Sequence, residues 1–243
     1  MTPPLFLVPE LGNGDVLVLT GPEAHHAATV KRLTVGESAL LSDGRGELAE
    51  ARVSQVSPDR VVFQVLSRRS LEQPEPRLVV VQALPKGERA ELAVELLTEL
   101  GVDEIVPWSA ARSIGQWKGD RVGKGLAKWQ RTALAAAKQS RRARIPVVSD
   151  LAGTDQVAQR IAAARLALLL HEDASQPLAG VAVPPDGELL LVVGPEGGLS
   201  PAELTQFCER GARPVRLGAE VLRTSTAGAA ALAVLSVAVG RWR

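Results

Sequence analysis

The chain has 243 residues, 46% of them hydrophobic and 23% charged, which excludes a disordered or fibrous protein and indicates a folded chain with a real core. Its single cysteine, Cys208, excludes an internal disulfide, and three histidines are too few for a Cys/His zinc site. The formal net charge of +1 conceals an uneven distribution, described below. The first residues have neither a basic region nor a long apolar run, so we expect a cytoplasmic protein without a signal peptide.

The first 70 residues or so predict a small β-barrel, because short apolar runs alternate with Gly-, Asp- and Asn-rich turns. One helix, Glu23–Leu33, is expected to interrupt it. The predicted strands are Leu5–Val8, Val16–Leu19, Ala39–Ser42, Leu48–Val56 and Val61–Leu66.

The polar, proline-containing segment Ser70–Pro76 is typical of a linker. We therefore expect two domains, residues 1–72 and 73–243. After the linker, strands alternate with long helices, and continuous apolar runs indicate parallel strands that are covered on both faces. The predicted elements are strands Arg77–Leu84, Val102–Trp108, Leu166–Leu170, Leu189–Val193 and Pro214–Leu217, and helices Gly87–Leu100, Gly123–Arg142, Pro201–Gly211 and one from Thr224.

The most apolar stretch, Ala227–Gly240, is only 14 residues long. A bilayer requires roughly 20 apolar residues. We expect a buried helix and no membrane association; the small residues of this stretch suit packing within one subunit or between two equally well.

The positive charge is concentrated between Arg112 and Arg144, where ten Lys and Arg residues accompany one acidic residue, Asp120. Such a local field can neutralise phosphates while the rest of the surface stays acidic. The alternative is an ordinary solvated helix face.

Two glycine-containing loops stand where α/β sheets bind ligands. The segment Leu191–Ser200 takes a strand into a Gly-rich turn and then into a helix with an N-cap serine. The segment Leu217–Ala227 links the last strand to the last helix. Taken separately, each is also explained as a tight connection, and neither is a dinucleotide fingerprint or a P-loop.

Together these loops, GPEGG followed by LG-x-x-x-LR-T-x-TA, resemble the C-terminal pattern of the SPOUT methyltransferases. Further segments resemble the RsmE-type enzymes, which methylate N3 of a uridine in 16S ribosomal RNA. These segments are Gln82–Gly87, Glu99–Val102 with Ile105 and Pro107, Ala111–Ser113, Gln139-Ser140 with Arg142 and Pro146, His171-Glu172, and the N-terminal barrel with Lys31-Arg32 and Asp43-Gly44.

The resemblance implies a SPOUT-type, trefoil-knotted α/β domain with a mostly parallel sheet, preceded by a PUA-like RNA-binding β-barrel. It implies a homodimer that binds S-adenosyl-L-methionine and 16S rRNA, within the small ribosomal subunit, and no metal. The cofactor site implied by the motifs consists of Leu170, His171, Gly194, Pro195, Glu196, Gly197, Gly198, Leu217, Gly218, Leu222, Arg223, Ser225, Thr226 and Ala227.

For the chemistry, our hypothesis is that Arg223, with Arg112 and Arg142, stabilises the uracil oxygens and the N3 anion as it forms. The alternative for Arg223 is an ion pair with Glu220 or Glu196. Relatives commonly carry an acid where this chain has Ser225, which leaves a carboxylate base there in doubt. Other departures are Leu96 in place of a lysine and Ala135 and Lys138 in place of glutamates. A noncatalytic RNA-binding assembly factor, or a SPOUT enzyme acting on another RNA atom, are the alternative functions.

RNA contacts are expected from basic side chains and from the tryptophans near them, Trp108 and Trp117, whereas Trp129 suits the core of its helix better. The histidines are interpreted as packing or RNA-contact groups rather than bases. The predicted RNA-binding residues are His25, Lys31, Arg32, Lys86, Lys118, Lys124, Lys128, Arg141 and Arg144.

Overall fold

The computed structural model describes residues 2–242, which divide into two compact units. The first unit extends to Gln73 and also contains Ala137–Ile145, and the second contains Pro74–Ala136 and the chain from Pro146 onward. Residues 137–145 were assigned from sequence to the second domain. They belong with the first unit because their backbone bonds to it: the Ser42 hydroxyl donates to the Ala143 carbonyl at 3.0 Å, and Ile145 N–H donates to Gly44 O at 2.9 Å.

The first unit is built on one curled, five-stranded sheet in the order β1-β3-β4-β5-β2. All neighbouring strands are antiparallel except the parallel pair β1 and β3. Its core contains the fully buried Phe6, Leu41 and Phe63. The strands are β1 (Leu5–Leu7), β2 (Val16–Thr20), β3 (Ser38–Ser42), β4 (Glu47–Ser57) and β5 (Arg60–Ser70).

The predicted helix over Glu23–Leu33 is shorter and wider than expected. A five-residue helix, α1 (Gly21–His25), continues as a π-helical turn over His26–Val30. The turn is wide because Lys31 N–H donates to the His26 carbonyl, five residues back, at 2.9 Å.

The second unit contains a six-stranded sheet in the order β11-β9-β10-β6-β7-β8, in which every pair is parallel. The continuous apolar runs predicted this arrangement. Its strands are β6 (Arg77–Ala83), β7 (Glu104–Trp108), β8 (Val147–Val148), β9 (Leu166–Leu170), β10 (Glu188–Val193) and β11 (Arg213–Val215).

Helices cover both faces of this sheet. One face packs against α2 (Arg89–Glu99), α6 (Thr224–Ala238) and the buried Trp129 of α3 (Arg121–Gln139). The other packs against α4 (Thr154–Ala163) and α5 (Pro201–Glu209). Each strand of the centre is therefore buried on both sides, as parallel sheets require.

Helix α3 ends three residues before the predicted Arg142. The reason is Arg141, whose φ of 58° is left-handed and incompatible with a continuing α-helix. The Arg142 N–H then donates back to the Ala137 carbonyl at 2.8 Å and closes the helix end.

Candidate functional site

A cavity of about 690 Å³ opens at the carboxyl ends of β9, β10 and β11. These strands end at Leu170, Val193 and Val215, and because they are parallel, the loops that follow them meet at the same edge. The residues that line the cavity are Arg112, 170–173, 193–199, 215–224 and Ala227. Its size is in the range of small-molecule sites.

The loop after β10 is shaped by its glycines. Gly198 has a φ of 70°, which favours glycine, and its N–H donates to the Pro195 carbonyl at 2.9 Å to close a turn. A Cβ at Gly197 would lie 3.1 Å from both the Cβ and the carbonyl oxygen of Arg112. The Gly-rich loop, Gly194–Gly198, therefore packs directly on the backbone that carries Arg112.

Glu196 joins this loop to a second one. Its Oε1 accepts a hydrogen bond from the Lys86 N–H at 3.1 Å. Lys86 lies in the loop that follows β6, away from the loop of Glu196 itself. Glu196 is thus engaged in holding two loops together at the cavity.

Arg112 reaches across the edge of the cavity. Its Nη1 donates to the carbonyls of Gly197 at 3.3 Å and Leu199 at 3.1 Å. Within residues 2–242, no acceptor lies within hydrogen-bond distance of its Nε or Nη2, and the residue is exposed. Two sides of the guanidinium are therefore available to a ligand.

Arg223 is the N-cap residue of α6, and its carbonyl accepts from the N–H groups of Thr226 and Ala227, both at 2.9 Å. Its side chain is exposed, and none of the ion pairs in the described part of the chain involves it. The ion pair with Glu220 or Glu196 considered above is therefore absent from the described residues.

The structure brings most of the predicted cofactor residues to this cavity, with two exceptions. Ser225 and Thr226 do not line it: Ser225 is 2% exposed and its hydroxyl has no hydrogen-bond partner among the described residues, while the Thr226 hydroxyl donates to Arg223 O. Arg142 lies in the first unit. The predicted residues that do line the cavity are Leu170, His171, Gly194, Pro195, Glu196, Gly197, Gly198, Leu217, Gly218, Leu222, Arg223 and Ala227, together with Arg112.

The predicted RNA-binding residues fall in both units. The first unit holds His25, Lys31, Arg32, Arg141 and Arg144, and the second holds Lys86, Lys118, Lys124 and Lys128. All are exposed except Arg144, which is half-buried.

Three of these lysines and arginines have partners in the protein. Arg141 donates from Nη2 to the Thr2 carbonyl at 3.5 Å. Arg144 donates from Nε to the Leu71 carbonyl at 3.1 Å and from Nη2 to the same oxygen, so it fastens residues 137–145 to the end of the first sheet. Lys128 pairs with Glu91 at 2.9 Å. Arg144 therefore has a structural task that the sequence did not reveal.

His26 differs from the exposed His25. Burial lowers the pKa of His26, and the charge of Lys138 lowers it further. Its ring packs edge-on against Phe6, with the centroids 6.1 Å apart. This favours packing over phosphate contact for His26.

Glu203, at the N3 position of α5, is a further residue that contacts the backbone beside Arg112. It is 3% exposed, and its Oε1 accepts from the N–H of Ala111, next to Arg112, at 2.8 Å. The capping-box pattern Ser200-x-x-Glu203 accounts for the bond to Ser200, but nothing local in the sequence indicates a partner 92 residues away.

Neither a metal centre nor a membrane span is found in the described part of the chain. Residues 2–242 contain no group of three or more His, Cys, Asp or Glu side chains arranged to hold a metal ion. No helix among them is both long and apolar enough to cross a membrane.

A parallel α/β sheet with a loop-lined cavity at its strand ends is typical of proteins that bind small molecules. Comparison with known families identifies the class as RNA methyltransferases. Residues 72–236 match the family model described as an RNA methyltransferase domain, and residues 19–66 match that of an RNA methyltransferase PUA domain.

Individual proteins that resemble this chain narrow the class from RNA methyltransferases in general to one family. The chain is 47% identical to "Ribosomal RNA small subunit methyltransferase E" of Mycobacterium tuberculosis, over 98% of this chain and 93% of the relative. It is 30% identical to the protein of that name in Bacillus subtilis, over 93% and 92%. The chain belongs to the ribosomal RNA small subunit methyltransferase E family.

Solved structures agree with this family. The Neisseria gonorrhoeae ribosomal RNA small subunit methyltransferase E bound to S-adenosyl methionine has a TM-score of 0.83 at 27% identity, over 97% of this chain and 98% of that one. A Legionella pneumophila structure in complex with the same cofactor has a TM-score of 0.85 at 29% identity, over 98% of both chains. The predicted SPOUT-type α/β domain preceded by a PUA-like β-domain is confirmed.

Proposed function

We propose that this chain transfers a methyl group from S-adenosylmethionine to N3 of a specific uridine in 16S ribosomal RNA of the small subunit. The observation that carries the proposal is the cavity at the ends of β9–β11, which joins a glycine cradle to two arginines, Arg112 and Arg223. Membership of the family supports S-adenosylmethionine-dependent methylation of ribosomal RNA. The choice of uridine N3 rests on the sequence resemblance.

The lining of the cavity fits this cofactor. Leu170, Leu217 and Leu222 offer apolar surface for an adenine, and the backbone is approachable because glycine occupies positions 194, 197, 198 and 218. A Cβ at Gly197 would lie 3.1 Å from the Arg112 carbonyl oxygen and one at Gly218 would lie 3.4 Å from Glu220 Oε2, so a side chain at either position would crowd the residues that line the cavity. When bound, the cofactor supplies an electrophilic methyl group on a sulfonium.

The arginines supply the polar contacts to the base. Uridine N3 carries a proton at neutral pH, and its loss leaves negative charge shared between N3 and the uracil oxygens. Guanidinium groups of Arg223 and Arg112 donate to those oxygens and stabilise that charge. Arg142 is the third predicted contributor. The proton passes to water, because Ser225 is buried outside the cavity lining and is not placed to accept it.

The RNA is held by phosphate contacts from both units. The exposed Lys31, Arg32 and Arg141 act from the first, and Lys118 and Lys124 from the second. Arg32 and Arg141 both have left-handed backbones, with φ of 54° and 58°, which is unusual for residues with side chains and common at functional positions.

Two further parts of the proposal concern assembly and location. A homodimer is supported by the C-terminal end of α6 and the residues just after it, where two large apolar side chains are left uncovered, Val237 at 60% and Trp242 at 43% exposure. Sedimentation velocity checks this, because a Val237→Lys variant should sediment as a smaller species than the unsubstituted chain. A cytoplasmic location follows from the proposed ribosomal substrate.

The arginine assignment is tested with Arg223→Ala. Arg213→Ala is the matched control, since Arg213 is exposed at the start of β11 and does not line the cavity. Cofactor affinity is measured by calorimetry, and methyl transfer by single-turnover kinetics on small subunits that lack the modification.

We expect Arg223→Ala to slow transfer about tenfold or more. Its cofactor affinity should change less than about threefold, and Arg213→Ala should match the unsubstituted chain in both. Equal losses of transfer and cofactor affinity in Arg223→Ala contradict the assignment.

A further inference from the structure

Glu203 connects three elements around the cavity without lining it. Besides accepting from Ala111 N–H at Oε1, it accepts at Oε2 from the N–H of Ser200 at 2.9 Å and from its hydroxyl at 2.8 Å. The Thr154 hydroxyl, at the start of α4, lies 3.3 Å from Oε1. A side chain that is 3% exposed thus receives four hydrogen bonds.

The hydrogen bonds of Glu203 hold the backbone next to Arg112 in place. Ala111 precedes Arg112, so the bond to Glu203 anchors the peptide that carries the arginine. On the other side, the Arg112 guanidinium holds the carbonyls of Gly197 and Leu199. Ser200, the other partner of Glu203, directly follows Leu199. The carboxylate therefore ties the Arg112 loop and the Gly-rich loop to a common anchor.

A carboxylate is the group that this position requires. The N–H groups of Ala111 and Ser200 are donors only, and they point to different oxygens of Glu203. A glutamine has the same shape but one accepting oxygen, so its NH₂ would face one of the two N–H groups. In a buried setting such a mismatch leaves a polar group unsatisfied.

We propose that Glu203 is a positioning residue for methyl transfer, which acts by holding Arg112 in place at the cavity; this rests on the proposed function. Displacements of about an ångström at a reacting centre cost on the order of a hundredfold in rate. Glu203 does not line the cavity, and the Gly-rich loop keeps two bonds that do not involve it, from Gly198 N–H to Pro195 O and from Lys86 N–H to Glu196. Loss of Glu203 should therefore change the transfer rate and leave cofactor binding nearly intact.

The test compares Glu203→Gln with Thr154→Ala. The control also removes a bond to Glu203, and it deprives the Trp108 Nε1 group of its partner at 3.3 Å, but it leaves the Ala111 bond in place. For each variant we measure cofactor affinity, the single-turnover rate and hydrogen exchange of residues 109–113. If Glu203→Gln does not yield folded protein, Glu203→Asp, which keeps the charge and shortens the side chain, replaces it.

In Glu203→Gln we expect a rate at least tenfold lower, a cofactor dissociation constant within about threefold, and faster exchange in residues 109–113. Thr154→Ala should stay near the unsubstituted chain in rate and exchange. A double-mutant cycle gives the decisive result: with Arg112→Ala already present, Glu203→Gln should slow transfer little further.

Additive rate losses, or unchanged exchange in residues 109–113, overturn the proposal. The unsubstituted chain is assayed in parallel. Absence of transfer there contradicts the proposed function, whereas the exchange rates still decide whether Glu203 holds the Arg112 loop.

Discussion

Replacement of Glu104 by glutamine should destabilise the second unit more than any exposed glutamate would. Glu104 begins β7, at the edge of the sheet opposite the cavity, and its side chain is 5% exposed. Both terminal nitrogens of Arg160 donate to the Glu104 carboxylate, at 2.5 and 2.6 Å. Arg77 and the Ser149 hydroxyl also donate to it. Glu188 accepts from both arginines, at 3.1 and 3.2 Å, and completes the network.

The expected loss of unfolding free energy depends on the two arginines that the substitution leaves with less negative charge beside them. Removing one partner of a buried ion pair costs about 3–5 kcal/mol, because the remaining charge is uncompensated. Here the arginines are 27% and 33% exposed and keep Glu188, so we expect a cost at or below the lower end of that range, about 2–3 kcal/mol. In a domain of this size that corresponds to a melting temperature about 6–9 °C lower.

Calorimetry at pH 7.5 measures this, with Glu95→Gln on the exposed face of α2 as the control. The control should stay within about 0.5 kcal/mol of the unsubstituted chain. A loss below about 1 kcal/mol for Glu104→Gln would show that this network does not stabilise the fold.

Three further predictions concern the stability of the second unit at acid pH, cofactor binding at the Gly-rich loop, and the stability of the first unit. Burial raises the pKa of Glu104, but the hydrogen bonds from Arg160 and Ser149 and the nearby positive charges outweigh it, so the pKa lies below the ordinary 4.5. The ionised Glu104 therefore contributes its full stabilisation above pH 4.5, and that contribution is lost as the pH falls through the lowered pKa. In urea titrations, the unfolding free energy of Glu104→Gln should fall less between neutral and acid pH than that of the unsubstituted chain. Gly197→Ala should weaken cofactor binding about tenfold in calorimetry, because the new Cβ meets backbone 3.1 Å away; an unchanged affinity contradicts the cradle. Arg144→Ala should lower the unfolding free energy of the first unit by about 1–2 kcal/mol in urea denaturation, because two bonds to the Leu71 carbonyl are lost, and an unchanged midpoint would exclude that fastening role.

Local pattern was sufficient for much of the fold. The apolar run Leu189–Val193 predicted a strand buried on both faces, and β10 lies in the middle of an all-parallel sheet. The Ser200-Pro201 start of α5 was read from capping chemistry, and Ser200 accepts from Glu203 N–H at 3.2 Å. Such signals act within a few residues, where sequence determines conformation directly.

The features that were missed depend on distant partners. Residues 137–145 join the first unit through bonds such as that from Ser42 to Ala143, 101 residues apart. Helix α4 was not assigned, because the N-cap position is Gly153, which has no side chain to signal a helix start. The sequence likewise predicted the loops of the cavity but not the carboxylate of Glu203 that joins them, since topology alone brings Ala111 beside it.

The identity of the methylated nucleoside decides between the proposed function and its alternatives. The purified chain is incubated with S-adenosylmethionine and small ribosomal subunits that lack the modification, and nucleoside digests are analysed by mass spectrometry. The proposed function predicts 3-methyluridine. A different methylated nucleoside, or cofactor binding without any methylation, would contradict it, the first in favour of another RNA atom as target and the second in favour of an assembly factor without catalytic activity.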